Sequence, residues 1–148
     1  MDRIEKDPNE YRFHKEIKIS WGDMDAFGHV NNVEYVRYFE RIRAEYFSYL
    51  QLWENDGKHP KSGMVIVNIN MDYRKQATYP QKLNSYLKTS SLNRKIFKMD
   101  LLILDESSDV VVTARGTFLW YDFVNSKTIP LPEAFLLKVK EYEGLLID

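Results

Sequence analysis

The feature that most constrains the fold is a change of hydrophobic period near residue 31. Residues 11–21, "YRFHKEIKISW", alternate between apolar and polar side chains, which predicts a half-buried β-strand. Beyond residue 31 the apolar residues recur at steps of three and four, which is the pattern of an amphipathic helix. This stripe consists of Tyr35, Phe39, Ile42, Tyr46, Tyr49 and Trp53. We therefore expect a strand followed closely by a helix of about five turns.

The remainder of the chain predicts mainly strands with short connections. Four segments favour strands, namely "MVIVNINMDY", "KLNSYLKTSS", "RKIFKMDLLIL" and "VVVTARGTFLWYDF", and "DESSD" has the composition of a hairpin turn. In the first segment the alternation places Val65, Val67, Ile69, Met71 and Tyr73 on one face. A short helix, "LPEAFLLKVKEYEG", ends the chain. Because strands joined by short turns pair antiparallel, we predict an α+β fold with one sheet curled around one long helix.

Composition narrows the possible classes of function. A chain of 148 residues with 44% apolar residues suits a single domain, residues 1–148. The net charge of −1 gives no general attraction to nucleic acid or anionic membranes, and the lack of cysteine excludes disulfides and thiolate chemistry. The polar N-terminus and the short apolar runs predict a cytoplasmic protein with no membrane segment.

Residues 23–34, "DMDAFGHVNNVE", concentrate polar groups in a way that first suggests a calcium loop. Asp23, Asp25, Gly28 and Glu34 match the EF-hand pattern. Phe27, however, stands where a ligand oxygen is needed, and a strand precedes the loop where an EF-hand has a helix. No second histidine lies near His29 to complete a transition-metal site. We therefore predict that the protein has no metal site.

A second interpretation places an active site at the start of the helix. Asn31 is a suitable N-cap, and Glu34 three residues later completes a capping-box pattern. The first helical turn has backbone N–H groups without an intrahelical acceptor, and these favour developing negative charge. A carboxylate such as Asp25 beside those amides can attack a carbonyl or activate water. The alternative is structural, with Asp23 and Asp25 capping turns and Gly28 allowing a left-handed residue.

Residues 21–46, "WGDMDAFGHVNNVEYVRYFERIRAEY", resemble the signature of hotdog-fold acyl-CoA thioesterases of the 4-hydroxybenzoyl-CoA thioesterase type. The similarity is closest to the branch D-x-D-x-x-G-H-V-N-N-x-x-Y, and the order of elements over residues 64–123 also agrees. The resemblance implies a hotdog fold, in which an antiparallel sheet wraps around a long helix. It also implies a thioester substrate on CoA or acyl carrier protein and active sites at a dimer interface. No separate cofactor is expected, because CoA is part of the substrate.

The resemblance implies catalytic roles for three positions. Asp25 matches the acid that acts as nucleophile or general base, and Asn32 matches the residue whose backbone N–H polarises the thioester carbonyl. His29 matches a histidine of this branch and of related plant acyl-carrier-protein thioesterases, in which an asparagine stands at the position of Phe27. The alternative for His29 is a ring that packs against the entry of the helix.

Two other functions remain open at this level. Hotdog hydratases and dehydratases pair an acid with a histidine as D-x-N-P-x-H, whereas Asp25 and His29 are one residue closer and lack the Asn and Pro. A non-catalytic acyl-binding protein would keep the fold without the chemistry. Candidates for binding CoA phosphates are Arg74, Lys75, Lys82, Arg94, Lys95 and Lys98. We expect a homodimer or homotetramer that binds neither nucleic acid nor membranes.

Overall fold

The polypeptide follows the predicted order of elements in a computed structural model that describes residues 3–52 and 60–147. Within these residues the elements are β1 (Phe13–Lys18), α1 (Asn32–Tyr49), β2 (Ser62–Tyr73), β3 (Lys82–Leu92), β4 (Ile96–Leu104), β5 (Val110–Asp122), β6 (Lys127–Ile129) and α2 (Glu133–Glu143). All strands lie in one antiparallel sheet of order β1-β3-β4-β5-β2, and β6 pairs with the end of β5. The segment "DESSD" joins β4 to β5, as predicted, whereas the sequence did not predict β6. No helix in the described residues is long and apolar enough to cross a membrane.

The sheet curls around α1. Tyr46 of α1 packs edge-on against Phe13 of β1 at 5.4 Å between ring centroids, and Phe39 meets Phe118 of β5 at 6.5 Å. The helix therefore contacts strands on both sides of the concave face. Its buried residues are Tyr35, Tyr38, Phe39, Ile42, Tyr46 and Phe47. Each fully buried large side chain contributes roughly 1.5–3 kcal/mol, so this stripe contributes substantially to the stability of the core.

The start of α1 confirms Asn31 as the N-cap, since its side-chain oxygen accepts the N–H of Val33 at 3.0 Å. The predicted capping box is wrong. The Asn31 amide donates instead to the Asp23 carbonyl at 2.9 Å, and the Glu34 carboxylate lies 3.8 Å from Arg37 Nε. The chain before the helix thus satisfies the amide that Glu34 was expected to bind.

The ends of the first two elements also differ from the predicted pattern. β1 stops at Lys18, and Trp21 lies in a short 3-10 turn with 73% of its surface exposed. Tyr49, at the end of α1, is 65% exposed and is not part of the buried stripe. Trp53 lies outside the described residues. Alternation and helical spacing therefore continue in the sequence beyond the buried parts of both elements.

A β-bulge in β2 changes which side chains face α1. Ile66 pairs with Phe118, whereas Val67 has no partner on β5. Cross-strand partners point to the same side of a sheet, and Phe118 contacts α1, so Ile66 faces the helix and Val65 faces away. Ile69, beyond the bulge, faces the helix again. The prediction that Val65 and Ile69 share a face is wrong because one inserted residue inverts the alternation.

The last residue of α2 connects that helix to the core. The Glu143 carboxylate accepts hydrogen bonds from the Tyr46 hydroxyl and the Thr89 amide, both at 2.7 Å. Burial raises the pKa of Glu143, although these two hydrogen bonds act in the opposite direction. Pro132 precedes α2 and Gly144 follows it, with the left-handed φ of 69° that favours glycine.

We expect the raised pKa of Glu143 to make its contribution to stability fall as the pH rises. The ordinary pKa of a glutamate is 4.5. At a pH just above this value the Glu143 carboxyl stays protonated in the folded chain, whereas it loses its proton in the unfolded chain. The free energy of unfolding is measured with denaturant for the wild type and for Glu143→Gln from about pH 4 to about pH 8. The free energy of the wild type should fall relative to that of Glu143→Gln as the pH rises. Glu141→Gln on exposed α2 surface removes the same charge and serves as the control. If the two proteins differ in free energy of unfolding by the same amount at every pH, the prediction is wrong.

Candidate active site

The loop between β1 and α1 is folded by its own backbone and fastened to a distant part of the chain. The Asp25 amide donates to the His29 carbonyl at 2.9 Å, and the Gly28 amide donates to the Asp25 carbonyl at 3.0 Å. Gly28 has a φ of 80°, which glycine adopts without strain. The Val30 amide donates to the Ala77 carbonyl at 2.8 Å, which holds the loop against the β2–β3 connection.

Asp23 has a structural role in this loop. Its Oδ2 accepts hydrogen bonds from the Ser20 amide at 3.0 Å and the Tyr38 hydroxyl at 2.8 Å. Burial and this bond raise the pKa of Tyr38 well above its ordinary range, so the phenol remains a donor. The Asp23 carbonyl also accepts the Asn31 amide. Asp23 therefore braces the entry to α1 and does not line the cleft described next.

A cleft of about 470 Å³ opens at the N-terminus of α1. All three residues predicted to act in catalysis, Asp25, His29 and Asn32, line it, together with residues 73–76 of the β2–β3 connection. Asp25 is exposed and His29 is half-buried. The loop and the start of the helix thus bring a carboxylate, an imidazole and a helix N-terminus into one cavity.

The Asn32 amide is the first-turn donor left unused. The neighbouring amides of Val33 and Glu34 donate to the side chain and carbonyl of Asn31, the latter at 2.8 Å. In the described chain the Asn32 amide has no acceptor, and it lies at the positive end of the helix dipole. Such an amide can hold the oxygen of a polarised carbonyl.

Only one of the two carboxylate oxygens of Asp25 accepts a hydrogen bond from the described residues. Its Oδ1 accepts the Phe27 amide at 2.9 Å, which fixes the side chain in the loop. Oδ2 has no hydrogen-bond partner among the residues that the structure describes. This oxygen is available to attack a carbonyl or to take a proton from water.

Two tyrosines form a wall of the cleft that the sequence analysis did not identify. Tyr35 is 2% exposed, and burial raises its pKa to about 12, with the Ala77 backbone acting in the opposite direction. The Tyr73 hydroxyl donates to the Asn32 carbonyl at 3.4 Å. The hydrophobic pattern predicted Tyr35 in the helix core and Tyr73 on a strand face. The one available signal was that Tyr35 closes the signature motif.

Two of the basic residues proposed for CoA phosphates line the cleft. Lys75 donates to Asp105 at 2.6 Å and Asp109 at 2.7 Å, and these hydrogen bonds raise its pKa. Arg74 forms no ion pair with a described residue and is the better-placed cation. The other candidates, Lys82, Arg94, Lys95 and Lys98, do not line the cleft.

Comparison with known proteins agrees with this architecture. A family model described as the Thioesterase-like superfamily matches residues 19–139. The chain is 28% identical over 117 residues to the long-chain acyl-CoA thioesterase FadM of Escherichia coli, covering 78% of this chain and 88% of that protein. It is 29% identical over 82 residues to the uncharacterized protein YsmA of Bacillus subtilis, covering 55% of this chain and 54% of that protein. A thioesterase from Thermus thermophilus, complexed with coenzyme A and Zn, superposes with a TM-score of 0.79 at 22% identity over 93% of this chain and 98% of that one.

The chain belongs to the thioesterase-like superfamily, because the family model spans most of its length. This confirms the predicted family, the hotdog fold and the thioesterase class. The roles of Asp25, His29 and Asn32 remain predictions, which the shared cleft makes specific enough to test.

We expect that millimolar calcium will not raise the melting temperature. Within residues 3–52 and 60–147, no three acidic or histidine side chains are placed to hold a metal ion, and Asp23 is occupied by Ser20 and Tyr38. A ligand that binds only the folded state must stabilise it by mass action. Thermal unfolding with calcium and with EDTA tests this. A rise of several degrees that EDTA abolishes would restore the calcium-loop interpretation.

Proposed function

We propose that the protein hydrolyses the thioester of an acyl-CoA, or of an acyl carrier protein, to a free acid and a thiol. The observation that carries this proposal is that the Asp25 carboxylate and the unpaired Asn32 amide line one cleft. CoA is favoured as the carrier because FadM is named an acyl-CoA thioesterase and the similar Thermus structure contains coenzyme A. CoA is part of the substrate, so the proposed reaction uses no separate cofactor.

The geometry supports two routes. In both routes, the carbonyl oxygen of the thioester accepts a hydrogen bond from the Asn32 amide, which stabilises the negative charge that develops on this oxygen. With Asp25 as general base, its carboxylate takes a proton from water, the water oxygen adds to the carbonyl carbon, the C–S bond breaks and the thiolate takes a proton. With Asp25 as nucleophile, the carboxylate displaces the thiolate to give an anhydride, which water then hydrolyses. His29 lies in the same cleft, where its ring can contact the substrate.

A hydrolysis screen tests the proposed activity directly. Acyl-CoA esters of increasing chain length, with aromatic ones beside them, are incubated with the protein and free thiol is measured. Hydrolysis of at least one ester, saturating with substrate concentration, is the expected result. Binding of acyl-CoA without release of thiol would favour a non-catalytic acyl-binding protein instead.

We expect Asp25→Asn to lose at least about a hundredfold in thioester hydrolysis, the scale of a general base. The amide oxygen of asparagine can still accept the Phe27 amide, so the melting temperature should be nearly unchanged. Asp7→Asn is the matched control, since Asp7 is exposed, does not line the cleft and likewise accepts the amide two residues later, that of Asn9 at 3.0 Å. Near-normal turnover by Asp25→Asn, or an equal loss in both variants, removes Asp25 from the mechanism.

We also propose that two copies pair through β2. This strand is an edge of the sheet in the described structure, and its backbone is unpaired on the side away from β5. Ile66, Val67 and Tyr73 on this strand are 43%, 53% and 46% exposed, beside the exposed polar residues Asn68, Asn70 and Asp72. An unpaired edge strand favours addition of another strand. A two-fold pair would continue the sheet and cover the open side of the cleft.

Val67→Lys should convert the dimer to a monomer, because a charged side chain on an exposed edge strand opposes pairing. Sedimentation velocity of the wild type and the variant measures this. Val124→Lys, in the β5–β6 turn and 68% exposed, introduces the same charge away from β2 and should leave the dimer intact. A wild-type protein that is active as a monomer contradicts the proposal.

A further inference from the structure

A second cavity, of about 600 Å³, lies between the N-terminal segment, the sheet and the end of α2. Buried residues of two strands lie at its base, namely Thr89 of β3 and Asp100 of β4, which are both 2% exposed. Glu143, at the end of α2, lines it and is bonded to Tyr46 of α1. From Asn32 to Tyr46 the helix rises about 21 Å at 1.5 Å per residue. This cavity shares no lining residue with the cleft at the start of α1, so the two are separate sites.

Three of the carboxylates that line this cavity already accept hydrogen bonds from the chain. Asp100 accepts two from the Arg115 guanidinium, at 2.7 and 2.9 Å, and one from the Ser90 hydroxyl at 3.0 Å. Glu143 accepts the hydroxyl and amide bonds described above, and Glu5 accepts a backbone amide at 2.9 Å. The fold therefore uses these acids as internal acceptors.

Two cations of the same cavity, Arg12 and Lys88, have no such partner. They stand next to the pair formed by Phe13 of β1 and Leu87 of β3, and both line the cavity. Neither side chain forms a hydrogen bond or ion pair with a residue that the structure describes. The Lys88 Nζ lies 4.6 Å from the centroid of the Tyr11 ring, a cation–π contact that orients the ammonium without neutralising it. Two like charges that face one cavity repel each other.

The unused hydrogen-bonding capacity of the cavity is therefore on the donor side. Burial raises the pKa of Glu143, and the charges of Arg12 and Lys88 act in the opposite direction, so both cations lie near the base of the cavity. Exposed Arg3 also lines it without a partner among the described residues. Of the acids that line it, Glu10 alone has a carboxylate with no hydrogen bond or ion pair in the described chain. A ligand that fits here must bring acceptors and negative charge.

We propose that this cavity binds the phosphate group of a phosphomonoester between Arg12 and Lys88. The planar guanidinium pairs with two phosphate oxygens through parallel hydrogen bonds, and the ammonium adds a point charge on a third oxygen. A phosphate dianion therefore satisfies both cations at once, whereas a carboxylate has one charge and two oxygens. This site lies outside the cleft and does not depend on thioester hydrolysis. The phosphate belongs either to a free phosphomonoester or to CoA, which the test below separates.

The test is calorimetric titration of the protein with inorganic phosphate, and with acetate, at an ionic strength held constant with chloride. Phosphate should bind saturably and raise the melting temperature, and acetate should do neither. Arg12→Met and Lys88→Met should each weaken phosphate binding at least about tenfold. Lys127→Met is the matched control, because it removes the same charge from β6, which does not line the cavity. Glu10→Gln removes a negative charge from the cavity and should strengthen binding.

Further arms separate this site from the cleft and identify the source of the phosphate. Arg74→Met alters the cleft alone, so phosphate binding that persists in this variant supports the proposal. In the same variant, displacement of phosphate by CoA assigns the site to a phosphate of CoA, and displacement by glycerol phosphate alone assigns it to a free phosphomonoester. Arg12 is exposed, so Arg12→Met keeps the test decisive if Lys88→Met folds poorly. Equal affinity for phosphate in Arg12→Met and Lys127→Met, or loss of binding only in Arg74→Met, overturns the proposal.

Discussion

The packing of the aromatic stripe of α1 against the concave face of the sheet is the interaction on which the rest of the structure depends. Tyr46 contacts β1 and Phe39 contacts β5, so the helix is held from two sides of the sheet. This contact fixes where the first turn of α1 lies. The hydrogen bond from Val30 to Ala77 then places the preceding loop against the β2–β3 connection. The geometry of the cleft is therefore a consequence of how the core packs.

Hydrogen bonding within the loop separates residues that support the fold from residues that remain available for chemistry. Asp23 and Asp25 are two residues apart and chemically identical. The Asp23 carboxylate is engaged by Ser20 and Tyr38, whereas Asp25 uses one oxygen for the Phe27 amide and keeps the other. A carboxylate that the fold does not fully satisfy can change its protonation or bonding during a reaction without unfolding its surroundings. The Asn32 amide is likewise available: in the described residues it has no acceptor, whereas the amides of Val33 and Glu34 donate to Asn31.

The described structure leaves β2 at an edge of the sheet. Ile66, Val67 and Tyr73 of this strand are exposed to solvent. A second copy on this edge would remove these side chains from water.

The sequence by itself determined the features that depend on neighbouring residues. The change of hydrophobic period predicted the strand followed by α1, and Asn31 marked the start of the helix. These two predictions succeed because capping and periodicity act over a few residues. The roles that the signature motif implies for Asp25 and Asn32 stay predictions, and both residues line one cleft. The tertiary structure alone decided that Val67 forms a bulge and that Tyr35 forms a wall of the cleft. Each of these depends on which residues of distant strands face a given side chain, and that arrangement is settled only when the sheet closes around the helix.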